Sequence, residues 1–242
     1  MFCLPPFAVR NSLHSSAVYV WKASLAASEQ AVAACRENLS PEERQRADRY
    51  VFPEHRRRFI VGRGILRTLL GRYLGVPPAG ISFDYTKFGR PFLANEDIQF
   101  NVSHSGDMAL YGFVRNANIG IDVECIRPIS AMEIAARFFS PKERESLELI
   151  PERLREAAFY RCWTRKEAYL KARGLGLQTP LGSFTVSLEA ESPALLSVEG
   201  VPDEPRRWNF VNIDVGANAT GVVVFSGAAR EVLKHTISGG DV

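Results

Sequence analysis

Ser40-Pro41-Glu42-Glu43 returns one hundred residues later as Ser140-Pro141-Lys142-Glu143, and the pair reads as two copies of one helix start. In each copy the serine is the N-cap. Proline takes the first helical position, where a missing N–H costs nothing, and the glutamate three residues after the cap closes a capping box. Downstream of the first box, Phe59, Ile60, Ile65, Leu66, Leu69, Leu70 and Tyr73 recur at helical spacing up to a stop at Leu74-Gly75-Val76. Downstream of the second, Phe159, Trp163, Ala168 and Leu170 lead to a similar stop at Leu175-Gly176-Leu177. Strand-like segments follow both helices: Ile81 to Tyr85, Ile98 to Val102 and Met108 to Val114, then Phe184 to Leu188, Trp208 to Ile213 and Gly221 to Phe225. Shared order and near-equal spacing predict an internal duplication. The expected architecture is α+β, a pseudo-dimer of two similar halves, residues 1–117 and 118–242. Each half packs helices on a small antiparallel sheet, and the active-site cleft lies between them.

Composition narrows the class. The 242 residues are 46% hydrophobic and 24% charged, enough to bury a core and too apolar for a disordered chain. Cys3, Cys35, Cys125 and Cys162 lack metal-binding or redox spacing, which points to a reduced, cytoplasmic protein. No apolar run is long enough to span a bilayer, so neither membrane nor export is expected. Net charge is only +3, without the global field of a nucleic-acid coat protein, yet ten arginines fall between Arg36 and Arg72. Such a cluster suits a phosphate-bearing ligand, or else a solvated helix face.

Four segments carry chemistry. In Gly120-Ile121-Asp122-Val123-Glu124, residues two apart on a strand share a face, so Asp122 and Glu124 project together. A hard divalent cation such as Mg²⁺ relieves their repulsion; an exposed acidic strand edge is the other reading. On the second long helix, Trp163, Glu167 and Lys171 stack at intervals of four, as a site or as an ordinary helix-stabilising pair. Phe100-Asn101-Val102-Ser103-His104-Ser105-Gly106 runs a strand into a glycine turn, with groups suited to phosphate or to a local cap. Phe88-Gly89-Arg90-Pro91 places a cation in a tight turn.

In this order, F-G-R-P, F-N-V-S-H-S, G-I-D-V-E and W-T-R-K-E-A-Y-L-K resemble the phosphopantetheinyl transferase family, closest to the larger single-chain type that activates peptide synthetases. The resemblance spans about Ser40 to Leu188. It implies a monomer with coenzyme A in the cleft, a magnesium ion on Asp122, Glu124 and Glu167, and catalytic roles for Glu167, Lys171 and His104. It further implies that Arg44, Arg46, Arg58, Arg90, Ser103, His104, Lys166 and Lys171 contact coenzyme A, with Glu43 standing where some relatives carry a cation. An acyl or peptidyl carrier protein, from fatty-acid, polyketide or peptide synthesis, is expected to dock near Ile126 to Phe139. Its serine attacks the β-phosphate, 3′,5′-ADP leaves, and Glu167 or a metal-bound water takes the proton. A magnesium-dependent phosphohydrolase and a basic nucleic-acid-binding module share parts of this pattern. The half-buried look of Phe59, Ile65 and Leu69 argues against the second.

Overall fold

A computed structural model describes residues 13–94, 96–174 and 179–237. Among these, the first half runs β1 (Ala17–Ser24), α1 (Glu29–Glu37), α2 (Pro41–Asp48), α3 (Pro53–Leu74), the ribbon β2 (Asp84–Tyr85) with β3 (Pro91–Phe92), and the hairpin β4 (Ile98–Ser105) with β5 (Met108–Arg115). The second half repeats it as β6 (Ile119–Cys125), α4 (Ala131–Phe138), α5 (Pro141–Leu149), α6 (Glu152–Arg173), the ribbon β7 (Phe184–Val186) with β8 (Leu195–Val198), and the hairpin β9 (Trp208–Ile213) with β10 (Ala219–Ser226). Strand order is β1-β5-β4 in one sheet and β6-β10-β9 in the other, so the halves share one topology. The last strand, β11 (Glu231–Ile237), returns to the first half and pairs in parallel with β1.

Both capping boxes are present, and each does more than start a helix. Glu43 accepts from the Ser40 amide and from the Nε of buried Arg67 at 2.6 Å; Arg67 also donates to the carbonyls of Pro78 and Ile81. In the second half Glu143 accepts from the Ser140 amide and pairs with buried Lys166 at 2.8 Å, and Lys166 donates to the carbonyls of Leu181 and Phe184. The same device therefore links cap, long helix and following loop twice. The carbonyl contacts of Arg67 and Lys166 offset part of the cost of burying each pair, although Glu43 Oε1 is left without a hydrogen bond.

α3 and α6 each have 22 residues and end on a left-handed glycine, Gly75 and Gly174. The second stop thus falls two residues before the expected Gly176, which lies outside the described residues. Strands β1, β3, β8 and β11 were not expected from the sequence. Tyr19 and Val20 of β1 are both buried, so no two-residue alternation marks the strand.

Separate apolar clusters fill the two halves, and a third, including Val18, Val20, Leu110, Ile121, Val123 and Val223, packs the sheets against each other. The sheets meet at β4 and β6 through side chains rather than a backbone ladder. Asn101 Oδ1 accepts from the Ile121 amide, Ser103 Oγ donates to Asp122, and Ser105 Oγ donates to Glu124. Alternation on β4 aims all three residues at β6.

The β1–β11 junction has a pH consequence. His235 stacks on Trp21 with ring centroids 4.4 Å apart, its Nε2 is buried without a partner, and burial lowers its pKa below 6.5. The unfolded imidazole therefore takes its proton first, so stability should fall as pH drops below about 6.5 and level off below the folded value. His235→Phe is expected to flatten that decline in urea titrations between pH 7 and 5; an unchanged slope would remove His235 as its source.

Candidate active site

β6 and α6 bring the acidic groups together because Gly120 lets the helix lie directly on the strand. A Cβ at Gly120 would overlap the Ala168 carbonyl oxygen and the Ala172 amide nitrogen. With the backbones in contact, Glu167 and Lys171 of α6 share a cavity of about 630 Å³ with Asp122 and Glu124 of β6 and with Ser103 and His104 of β4. Phe138, Trp163, Thr179, Pro180 and Leu181 also line it.

Asp122 is the pivot of this cavity. Its Oδ1 accepts from Lys171 Nζ at 2.6 Å and from Ser103 Oγ at 2.7 Å, and Lys171 also donates to Ser103 Oγ and the Ile121 carbonyl. Its Oδ2 is buried with no hydrogen-bond partner. Burial, eased by Ser105 and reinforced by Asp122, raises the Glu124 pKa; burial and the Asp122 charge raise that of Glu167. Three carboxylates therefore face the single ammonium of Lys171.

This donor set fits a hard divalent cation: the orphaned Asp122 oxygen lacks a positive partner, and all the donors are oxygens. Among the described residues, no three His, Cys, Asp or Glu side chains are gathered tightly enough to hold a metal ion unaided.

A second cavity, of about 530 Å³, opens between α2, α3 and the β4–β5 hairpin, and His104 lines both. Its wall includes Arg46, His55, Arg58, Arg63 and Arg127, with Tyr50 and Phe59 and without a carboxylate. Burial, then the charges of Lys171 and Arg58, lowers the His104 pKa and keeps its imidazole neutral at pH 7. Arg58 is held through Nε by Asp107 Oδ1 at 2.8 Å, which leaves its terminal nitrogens for the cavity.

Several expected contacts lie elsewhere. Lys166, expected against coenzyme A, is fully buried in the Glu143 pair. Arg44 donates to the Arg36 and Glu37 carbonyls and closes the C-terminus of α1. Arg90 does not face a nucleotide from its turn: it donates to the carbonyls of Phe100, Ile119 and Lys171, tying β4, β6 and α6. Arg90→Lys, which cannot serve three carbonyls in that geometry, should therefore cost about 2–4 kcal/mol of stability in urea titrations. A variant that kept wild-type stability and lost coenzyme affinity would restore Arg90 to the binding wall.

Arg127, expected in carrier docking, lines the cationic cavity, and Arg63 joins that wall without any motif having marked it. In the expected docking segment, Ala131, Ala135 and Phe139 are buried, while Arg137 and Phe138 are exposed, Phe138 at the rim of the acidic cavity. Of the arginines in residues 36–72, Arg46, Arg58 and Arg63 line the cavity wall, Arg44 caps α1, and Arg36 and Arg67 are in ion pairs. No helix among the described residues is long and apolar enough to cross a membrane.

Comparison with known proteins gives matches over both halves. Residues 20–112 match the family described as "4′-phosphopantetheinyl transferase, N-terminal", and residues 118–223 match the "4′-phosphopantetheinyl transferase superfamily". The chain is 42% identical over 221 residues to "4′-phosphopantetheinyl transferase HetI" of Nostoc sp., covering 89% of this chain and 90% of that protein. It is 35% identical over 166 residues to "4′-phosphopantetheinyl transferase Sfp" of Bacillus subtilis, covering 68% and 72% respectively. Among solved structures, holo-[acyl-carrier-protein] synthase of Thermotoga maritima aligns with a TM-score of 0.35 and 18% identity, over 47% of this chain and 63% of that one.

Proposed function

Because the chain belongs to the 4′-phosphopantetheinyl transferase superfamily, and is an enzyme that moves the phosphopantetheine arm of coenzyme A onto a carrier-protein serine, we propose that its two cavities divide this reaction between them. The observation that carries the division is the change of sign at His104: arginines on one side, carboxylates and Lys171 on the other. Coenzyme A lies with its nucleotide among Arg46, Arg58 and Arg127, its diphosphate at His104 and Lys171, and its pantetheine arm toward Trp163 and Leu181.

Asp122, Glu124 and Glu167 would hold Mg²⁺ together with waters and the diphosphate, and the ion would supply charge neutralisation there. The serine Oγ bonds to the β-phosphorus as that atom's bond to the bridging oxygen breaks, and the electron pair leaves on 3′,5′-ADP. The serine proton passes to the Glu167 carboxylate, which faces the cavity beside Lys171. Lys171, positioned by Asp122 and Ser103, and neutral His104 with its N–H as donor offset the charge that gathers on the phosphate oxygens. The carrier docks on α4, where Arg137 and Phe138 are exposed beside the acidic cavity. The protein acts as a cytoplasmic monomer, in keeping with the free thiols of Cys35, Cys125 and Cys162 and with the internal repeat that supplies both walls.

The test is to incubate the protein with coenzyme A, Mg²⁺ and a panel of apo-carriers and weigh each carrier. One phosphopantetheine added to the serine is the expected result. Release of inorganic phosphate without any gain in carrier mass would favour a phosphohydrolase.

A further inference from the structure

A further cavity lies apart from the two that serve the reaction. It holds about 480 Å³ at the seam of the two halves, between the ends of β1, β6 and β11, the β4–β5 turn and the loop after β9. Its lining is mostly apolar: Val215 and Ile237 are buried there, and half-buried Met108 and Cys125 complete the wall. Such a volume, such a lining and a position between two halves are the marks of a small-molecule site.

The charges at its rim decide what it can hold. Lys22 supplies an ammonium and Asp107 a carboxylate. Asp107 is already committed, because its Oδ1 accepts from Arg57 at 3.2 Å and from Arg58 at 2.8 Å, and one negative charge there answers two guanidinium groups. Lys22 is the opposite case. Its Nζ donates to the Asp214 carbonyl at 3.2 Å, a neutral acceptor, and it forms no ion pair among the described residues. An ammonium has three donors, so this one still has hydrogen bonds to offer. An apolar cavity with one unpaired ammonium at its edge fits an aliphatic chain that ends in a single negative charge. A compact polyanion would meet one cation and a wall of hydrocarbon.

The cavity is also tied to the acidic one. Cys125 directly follows Glu124, and its amide donates at 3.1 Å to Ser105 Oγ, the same hydroxyl that donates to Glu124 at 2.8 Å. A chain packed against Cys125 therefore bears on the hydrogen bond that holds Glu124. Going beyond the assignment of the two reaction cavities, we propose that this cavity is an inhibitory site for medium-chain aliphatic carboxylates. The chain lies on Met108, Val215 and Ile237, the carboxylate pairs with Lys22, and occupancy slows transfer through Cys125, Ser105 and Glu124.

Calorimetry on the full chain with decanoate, octanoate and decyltrimethylammonium, all below their micelle-forming concentrations, tests the site. Octanoate should bind about tenfold more weakly than decanoate, because it buries fewer methylenes, and the cation of equal chain length should bind more weakly still. Lys22→Met should weaken decanoate by about fivefold, the upper range for an exposed ion pair. Thr236→Trp, at an exposed position on the cavity wall, should abolish decanoate binding by filling the space with its ring. Bound decanoate should slow the reaction of Cys125 with iodoacetamide, followed on its own peptide. In carrier-labelling assays saturating decanoate should lower kcat about fivefold and leave the KM for coenzyme A within about twofold, and Thr236→Trp should keep a near-normal rate and lose the inhibition. No binding of decanoate, equal binding by wild type and both variants, equal binding of the cation, or an unchanged Cys125 rate would overturn the site. Binding at the site with kcat unchanged would overturn its inhibitory role.

Discussion

Replacing Gly120 with alanine is expected to destabilise the protein by about 3 kcal/mol, the upper end of overpacking effects, and to reduce transfer to background. The added methyl would overlap main-chain atoms of Ala168 and Ala172, and a helix backbone cannot turn aside as a side chain can. Relief requires α6 to move off β6. That movement carries Glu167 and Lys171 away from Asp122, so stability and activity should fail together. Gly112→Ala is the matched control: its Cβ would meet the Cδ1 of Ile119 at 2.9 Å, the far end of a flexible side chain, and should cost much less. Urea titration and carrier mass measurement on both variants check the pair. A Gly120→Ala enzyme with wild-type stability would show that the contact between β6 and α6 is not what sets the site.

Asp122→Asn should leave the protein folded and lower kcat/KM for carrier modification by about 10²- to 10³-fold, as when a preorganised electrostatic group is removed from an active site. Asparagine keeps the shape and still accepts from Ser103 and Lys171, but it removes the charge that offsets Lys171. It also replaces the unpartnered Oδ2 with an amide that cannot bind a cation. The Mg²⁺ concentration needed for half-maximal rate should rise in parallel. Ser105→Ala, which removes the donor to Glu124 and no charge, is expected to cost far less. Activity of Asp122→Asn within about tenfold of wild type at unchanged Mg²⁺ demand would sink the assignment of Asp122 to the metal, since loss of that charge should reach the range above.

What could be read in the sequence was local or strictly periodic. The capping boxes at Ser40 and Ser140 are four-residue patterns, and apolar residues recur at helical spacing along α3, whereas α6 buries residues around most of its circumference. Asp122 and Glu124 share a face because strand geometry demands it, and Glu167 and Lys171 do so because helix geometry demands it. Lys166 shows the limit. It is one residue from Glu167 and therefore turned about 100° around α6, into the Glu143 pair rather than the cavity. Nothing in the motif distinguishes a lysine that meets substrate from one that meets a buried glutamate.

The sequence by itself determined the duplication, the two capped long helices and the acidic pair on β6, because each is set by interactions within a few residues or by the repeat period. Only the tertiary structure decided that β11 closes the first sheet, that Arg90 ties three elements through their carbonyls, and that Arg63 and Arg127 join the cationic wall. It also decided that serines on β4 meet carboxylates on β6. These are contacts between residues far apart in the chain, chosen by how the two halves pack, and local sequence does not encode which buried donor will find which acceptor.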